Sequence, residues 1–241
     1  MIQITFPDGS IKSFEPPVTG EDVARSISEG LARNAVAMEV DGRLVDLYWT
    51  IDEDAKVRLI TVKDPEALKI LRHSAAHVMA QAILRLYPDA KLTIGPVVEG
   101  GFYYDIDMQP LSEDDFPKIE AEIAKIVKEK IPIRRQEVSK QRAKEFYRGE
   151  PYKLEMIEDL PDGTISFYNQ GDFTDLCRGP HLPHTGFIKA IKLMKVSGAY
   201  WRADQSKAQL QRVYGTAFFN KKELDEYLHF LEEAKRRNHR K

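Results

Sequence analysis

Two stretches near the N-terminus alternate apolar and polar residues, with the two-residue period of β-strands. The first, I-Q-I-T-F-P-D-G-S-I-K-S-F, is interrupted by Asp8-Gly9, and the second, A-V-A-M-E-V-D-G-R-L-V-D-L, by Asp41-Gly42. Asp-Gly between alternating runs predicts a hairpin with a tight turn. The later run K-V-R-L-I-T-V predicts one more strand.

A helix is predicted between the two hairpins. Thr19-Gly-Glu-Asp22 has the form of a capping box, and Val23, Ile27 and Leu31 follow at four-residue steps. The resulting order β-β-α-β-β resembles a β-grasp module of the ubiquitin-like kind. The module holds no His, no Cys and no glycine-rich phosphate loop. We therefore expect it to bind or position a partner rather than to catalyse.

A long helix is predicted next. Asp64 suits its N-cap, Pro65 suits its first position, and Pro88 ends the run. From Ala75 onward the segment is apolar on nearly every face, which is typical of a helix at the centre of a domain. The first domain boundary is therefore expected near Lys63.

Strands and helices alternate in the remaining sequence. The run K-L-T-I-G-P-V-V-E-G-G-F-Y-Y-D-I-D predicts a strand broken by Gly100-Gly101. Further strands are predicted at I-P-I-R-R-Q-E-V, T-I-S-F-Y, A-I-K-L-M-K-V and Q-L-Q-R-V-Y-G-T-A-F, and helices with an inward face of Phe116, Ile119, Ile123 and Ile126, with a cap at Ser139, and with a cap at Asn220. The expected fold class is α+β, with a small β-grasp domain, a larger domain in which a central helix lies against an antiparallel sheet, and a final helix.

Composition restricts the class of protein. The chain has 241 residues, of which 42% are hydrophobic and 31% charged, enough for one large or two modest globular domains. No apolar run approaches the roughly 20 residues of a membrane span, and the N-terminus lacks the charged region of an export signal. One cysteine allows no disulfide framework, so a cytoplasmic location is expected. A formal net charge of -2 gives no indication of a polyanionic partner such as a nucleic acid.

The strongest candidates for catalysis or metal binding form two pairs of residues with equal spacing. His73 and His77 lie four apart in R-H-S-A-A-H, and Cys177 and His181 lie four apart in D-L-C-R-G-P-H. Positions i and i+4 of a helix share one face, and a Gly-Pro turn fixes the backbone of the second pair. Three imidazoles and a thiol suit either a zinc site or a metal-free hydrolytic site. A single histidine on an apolar helix is more often a core residue, but the matched pairs favour a site.

Three more residues are candidates for substrate binding. Gly100 and Gly101 interrupt a strand, which indicates a bulge or a close approach of the backbone to a ligand. Tyr103 and Tyr104 are adjacent in a strand and point to opposite faces, so only one can line a pocket. Tyr104 is the candidate, with core packing as an equal alternative.

Five segments carry a resemblance to a known family. They are H-S-A-A-H, G-P-V-V-E-G-G-F-Y-Y-D, D-L-C-R-G-P-H, K-L-M-K-V-S-G-A-Y-W-R and Q-R-V-Y-G-T-A-F, in this order. With them the whole chain resembles the N-terminal part of bacterial threonyl-tRNA synthetases. The resemblance implies a TGS domain at residues 1–62, an editing domain at residues 63–220 and, at residues 221–241, a linker helix toward an aminoacylation core. Class II aminoacylation motifs are not in the sequence, so proofreading without tRNA charging is expected.

The resemblance implies a substrate and partners. The substrate would be mischarged seryl-tRNA(Thr), hydrolysed at the ester on its 3′ adenosine, with tRNA(Thr) as the partner and no membrane. ATP, Mg²⁺ and Zn²⁺ are expected only for the aminoacylation core, through which the whole enzyme would form a homodimer. Editing in this family is thought to need no metal, so no metal ligand is expected. The spacing alone favours zinc, which related alanyl-tRNA editing domains bind with the same spacing.

The resemblance also suggests roles for the site residues. The two helical histidines would orient or deprotonate water, since imidazole titrates near neutral pH. Lys153, in E-P-Y-K-L, matches an editing-site lysine of the family, although by itself it would pass for a solvated lysine. Asp175 would bind the substrate's ammonium group or orient a histidine, or else form an Asx turn. Cys177 is expected to be a polar pocket wall beside His181, with a thiolate nucleophile and a zinc ligand as alternatives.

Two other functions fit parts of the sequence. One is a zinc-dependent, free-standing aminoacyl-tRNA deacylase built on the same four residues. The other is a non-catalytic RNA-binding module, in which the aromatic turn at Tyr200-Trp201 and nearby basic residues hold RNA. His184, three residues beyond His181, is expected to be exposed.

Overall fold

The computed structural model describes residues 1–241 and confirms the α+β class. In chain order, the elements of residues 1–62 are β1 (Ile2–Thr5), β2 (Ile11–Phe14), β3 (Val18–Thr19), α1 (Gly20–Ile27), α2 (Glu29–Asn34), β4 (Ala35–Val40), β5 (Arg43–Asp46), β6 (Thr50–Ile51) and β7 (Ala55–Thr61). Those that follow are α3 (Pro65–Leu86), β8 (Lys91–Leu92), β9 (Val97–Val98), β10 (Gly101–Asp107), α4 (Phe116–Lys128), β11 (Arg134–Glu137), α5 (Lys140–Phe146), α6 (Pro151–Glu158), β12 (Ser166–Gln170), β13 (Phe173–Leu176), β14 (Ala190–Tyr200), β15 (Gln209–Phe218) and α7 (Lys221–His239). The chain forms two compact units, residues 1–70 with 130–185 and residues 71–129 with 186–241.

The first unit contains a five-stranded sheet in the order β2-β1-β7-β4-β5. β1 runs parallel to β7, and the other neighbours are antiparallel. A parallel central pair flanked by two hairpins is the β-grasp arrangement, so the predicted module and both Asp-Gly turns are confirmed. Its core contains the apolar side chains of Ile2, Ile4, Val18, Val23, Met38, Val45, Ile51 and Val57.

The predicted helix after the first hairpin is interrupted. The Thr19 capping box is present, but the helix stops at Ile27 and a second one begins at Glu29. Ser28, between them, has extended backbone angles and accepts the N–H of Leu31 with its hydroxyl. A serine that satisfies the backbone through its own side chain competes with helix continuation. The prediction of one helix running through Val23, Ile27 and Leu31 was therefore wrong, and Ile27 is 49% exposed.

The first unit also holds a three-stranded antiparallel sheet, β11-β12-β13. Ser139 caps α5, as predicted. β13 was not predicted, although it carries Asp175 and ends one residue before Cys177. The short helices α5 and α6 cover a core made of Val138, Ala143, Tyr147, Ile157, Ile165 and Phe167. This core holds in place the strand from which the Cys177 loop starts.

The second unit is built on an antiparallel sheet in the order β14-β15-β10-β8, with β9 paired to β10. The buried face of α4 is the predicted one, and α4 contacts β14. α3 begins at Pro65 as expected, and its residues from Ala75 to Ile83 are buried. Arg72 of α3 donates to the carbonyl oxygen of Ala217 in β15 at 3.3 Å, so the helix lies against this sheet. None of the helices combines the length and apolarity needed to cross a lipid bilayer.

Candidate active site

The first pair of site residues lies on α3, as the spacing predicted. The ring centroids of His73 and His77 are 5.3 Å apart, with their planes at 71°. His77 is buried and His73 is half-buried. Both imidazoles therefore stand on one face of a helix whose following turns are packed in the protein interior.

The second pair lies on a loop, not on a helix. Sγ of Cys177 is 3.1 Å from Nε2 of His181, and it accepts the N–H of Gly179 at 3.3 Å. Gly179 has a φ of 74°, in the left-handed region that favours glycine, and a Cβ there would collide with the hydroxyl of Tyr168. The loop is fastened to β12, because the Cys177 N–H donates to the carbonyl of Ser166 and the Ser166 hydroxyl donates back to the carbonyl of Cys177.

The thiol of Cys177 is not activated. Burial raises the pKa of Cys177 to about 12, although the Gly179 N–H opposes this shift. A reactive cysteine needs the opposite shift, since the thiolate is the nucleophile. At neutral pH the side chain is therefore a neutral thiol in hydrogen-bond contact with an imidazole, which disfavours covalent catalysis.

A carboxylate from the N-terminal sheet supports this loop. Asp46, the last residue of β5, accepts the backbone N–H of His181 at 2.9 Å with Oδ1 and the hydroxyl of Tyr168 at 2.7 Å with Oδ2. The ring of Tyr168 lies edge-on to His181, with centroids 4.4 Å apart. Burial raises the pKa of Asp46, while these two donors lower it. No motif in the sequence pointed to Asp46, because its partners lie more than a hundred residues away.

Lys153 and Asp175 form a buried ion pair. Nζ of Lys153 lies 2.6 Å from Oδ1 of Asp175, and the two side chains are 3% and 2% exposed. Lys153 is on α6 and Asp175 is on β13, two residues before Cys177. Neither a solvated lysine nor a simple Asx turn describes these residues, because each charge is withdrawn from water and held by the other.

His73 and His77 on α3, and Cys177 and His181 on the loop, offer the donor types of a zinc site. Within the second pair, one distance fits zinc poorly. The Cys177–His181 distance of 3.1 Å is shorter than the about 3.6 Å expected between sulfur and nitrogen ligands of one tetrahedral zinc. The distance is that of a direct hydrogen-bond contact between thiol and imidazole. The expectation that the site needs no metal stays a prediction.

The predicted glycine pair has a local structural explanation. Gly100, with a φ of 76°, lies in the turn between β9 and β10, and its carbonyl accepts the Thr216 hydroxyl at 2.7 Å. A Cβ on Gly101 would collide with the carbonyl of Gly215 in β15. The close backbone approach expected at these glycines is thus to a neighbouring strand. Their role in substrate binding stays a prediction.

The structure also shows the burial of four other aromatic or histidine side chains considered above. Tyr104 is fully buried, and Tyr103 points the other way, with its ring 4.2 Å from the guanidinium of Arg212. In the aromatic turn of the RNA-binding alternative, Trp201 is buried and Tyr200 is 40% exposed, so only Tyr200 offers a stacking surface. His184 is half-buried, not exposed, because its backbone bridges to Pro132; burial lowers the pKa of His184.

Two family matches cover parts of the chain. Residues 2–61 match the TGS domain, and residues 165–214 match the second additional domain of threonyl and alanyl tRNA synthetases. The first match contains the complete five-stranded sheet, and the second contains the Cys177 loop.

Over its full length the chain is similar to known enzymes. It is 68% identical over 241 residues to the threonine–tRNA ligase of Desulforapulum autotrophicum. Identity over 245 aligned positions is 55% with the ligase of Anoxybacillus flavithermus and 56% with that of Clostridioides difficile. Each match covers 100% of this chain and 38% of the relative, so the chain spans 38% of the length of these ligases. By its TGS domain, its second additional (editing) domain and this full-length match, the chain is similar to the N-terminal part of bacterial threonine–tRNA ligases.

Proposed function

We propose that this chain hydrolyses the ester of seryl-tRNA(Thr), the product of a mischarging error. The observation that carries the proposal is the pair of imidazoles, His73 and His77, on one face of α3, in a chain that is 68% identical to a threonine–tRNA ligase. Its partner would be tRNA(Thr), bound through the 3′ adenosine, and the reaction would take place in the cytoplasm, where charged tRNA is used.

A physical limit on selectivity explains the need for this activity. Serine is threonine without one methyl group, and a missing methyl contact discriminates by only about 1–3 kcal/mol. A synthetic pocket that binds the hydroxyl of threonine must accept serine as well. A second pocket, too small for the extra methyl group, removes the error by hydrolysis.

The proposed chemistry is acyl transfer to water. One of the α3 imidazoles takes a proton from water, whose oxygen attacks the ester carbonyl carbon. The tetrahedral intermediate then breaks its bond to the ribose oxygen, which leaves with a proton and releases serine. Lys153 would offset negative charge near the intermediate, with Asp175 fixing its ammonium group. Cys177 and His181 would form a polar wall that contacts the substrate without bonding to it. We propose no metal for this reaction.

A deacylation assay tests the proposal. The 241-residue chain should release serine from seryl-tRNA(Thr) and leave threonyl-tRNA(Thr) intact. His73→Ala should lose about 10²–10⁴-fold in rate, the usual contribution of a general acid–base group. Lys153→Ala should lose about 10²–10³-fold, the usual contribution of a group that stabilises the charge of the intermediate. Cys177→Ser should keep part of the activity. His229→Ala, which changes an exposed histidine on α7, is the matched control. Equal hydrolysis of both esters, or of neither, would contradict the proposal.

The zinc-dependent alternative rests on the same four residues and is separated by the same assay. Full activity after chelation, with no zinc in the purified protein by elemental analysis, supports water activation by protein groups alone. Loss of activity on chelation, restored by one equivalent of zinc, would favour the metal. A seryl adduct on Cys177 by mass spectrometry would instead favour covalent catalysis.

A further inference from the structure

A small cationic cleft lies in the first unit, beside the Cys177 loop. Arg43 and Trp49 of the N-terminal domain line it together with Arg135 of β11 and Arg178, the residue that follows Cys177. The cleft is shallow and open to solvent, with only about 30 Å³ of space between its side chains. It is therefore a surface depression that can contact a phosphate group, not a pocket that encloses a ligand.

Positive charge dominates the cleft. The guanidinium carbons of Arg43 and Arg135 lie 5.0 Å and 5.6 Å from the centre of the Trp49 ring. Arg43 and Arg178 are exposed. Arg135 pairs with Glu137 at 3.1 Å, but the glutamate is 68% exposed, and pairs of this kind contribute little.

The one acidic residue that lines the cleft does not cancel this charge. Asp46 already accepts the Tyr168 hydroxyl and the His181 N–H with its two oxygens, and burial raises its pKa. Three guanidiniums therefore face a single engaged carboxyl group. Guanidinium forks match phosphate oxygens in shape and charge, and an aromatic ring beside them suits the sugar or base of a single strand.

We infer that this cleft binds phosphodiester groups of the single-stranded 3′ end of tRNA. Arg178 follows Cys177 in the chain, so a phosphate bound by Arg178 would lie next to the proposed hydrolytic site. We expect this phosphate to belong to the RNA strand whose 3′ end carries the ester. The inference rests on the proposed function for the identity of the RNA. It gives the N-terminal domain a part in binding, because Arg43 and Trp49 belong to that domain.

Binding of uncharged RNA tests the inference without requiring hydrolysis. The two probes are an acceptor-stem hairpin that carries its single-stranded 3′ tail and the same hairpin without the tail. The wild-type chain should bind the tailed hairpin more tightly. Arg43→Ala and Arg178→Ala should each weaken that binding about tenfold and leave the tailless hairpin unaffected. Each should also lower the slope of log affinity against log salt by about 0.7, the contribution of one single-strand phosphate contact.

Two variants serve as controls. Arg33→Ala removes an equal charge from an exposed position on α2, outside the cleft, and should change neither affinity nor slope. Arg178→Lys keeps the charge and should keep the salt slope, which separates electrostatics from misfolding of the loop.

Several results would overturn the inference. The first two are equal affinity of the wild type for the tailed and tailless hairpins, and an equal loss of affinity for both hairpins in Arg43→Ala or Arg178→Ala. The third is a loss of affinity in Arg33→Ala as large as in the cleft variants. The fourth is competition by inorganic phosphate or an acidic peptide that is as strong as competition by the tail. Tail binding without hydrolysis of seryl-tRNA(Thr) would refute the proposed function and leave the cleft in place.

Discussion

Replacing Lys153 by methionine tests whether Lys153 and Asp175 stabilise the fold as an energetically coupled pair. Methionine preserves the length and apolar bulk of the stem but removes the charge, so the carboxylate of Asp175 stays 2% exposed without its ammonium partner. Removing one member of a buried pair costs about 3–5 kcal/mol, because an uncompensated charge remains in the interior. Against a total stability of about 5–15 kcal/mol, that loss is large enough to measure directly.

Urea unfolding followed by circular dichroism gives the measurement. Lys153→Met and Asp175→Leu should each lower the midpoint strongly, and the double variant should lose much less than their sum, since no orphan charge remains. In Lys153→Met the lone carboxyl group will have a raised folded-state pKa, so the loss should shrink as pH falls from about 8 to about 5 and the group protonates. Lys144→Met removes one partner of an exposed pair with Glu158 and is the control that should change little. Additive losses in the double variant would refute the coupling.

Three further outcomes follow from the geometry. Because burial raises the pKa of Asp46, the wild type should lose stability as pH rises through that raised pKa, and Asp46→Asn should lack this loss in urea titrations at several pH values. Alkylation of Cys177 by iodoacetamide should keep accelerating above about pH 9 in the folded chain and level off near about pH 9 in urea; early levelling in the folded chain would show an activated thiol. Gly101→Ala should lower the thermal midpoint sharply, since its Cβ meets the backbone of β15. Gly30→Ala on α2 should raise it slightly, since its Cβ would meet only the Arg33 side chain, at an ordinary contact distance of 3.9 Å.

Local signals in the sequence predicted much of the fold. Asp8-Gly9 and Asp41-Gly42 each supply a turn whose residues take positive φ at glycine, so the two hairpins follow from four residues. The inward face of α4 follows from 3.6-residue periodicity alone. The break at Ser28 did not follow, because serine occurs within helices as well as at their N-caps and the sequence does not show which of the two roles it takes.

The charged part of the site was less predictable. Lys153 and Asp175 are 22 residues apart, on a helix and on a strand that the sequence pattern did not reveal. Without a resemblance, Lys153 would have passed for a solvated lysine, and nothing marked Asp46 as a partner of His181. Pairings of this kind depend on tertiary structure, and the residues carry no periodic signal of their own.

The two pairs have the same four-residue spacing in the sequence, but the structure brings the members of each pair together for different reasons. His73 and His77 face the same way because four residues make about one helical turn. Cys177 and His181 meet at 3.1 Å because Gly179 takes a conformation that other residues avoid and because Asp46 and Ser166 hold the loop on either side. The first pair depends on a helix that is stable for many other reasons. The second depends on a few contacts, one of which comes from the N-terminal domain. Substitutions in the N-terminal domain should therefore displace the loop of Cys177 and His181 and leave His73 and His77 on their helix unchanged.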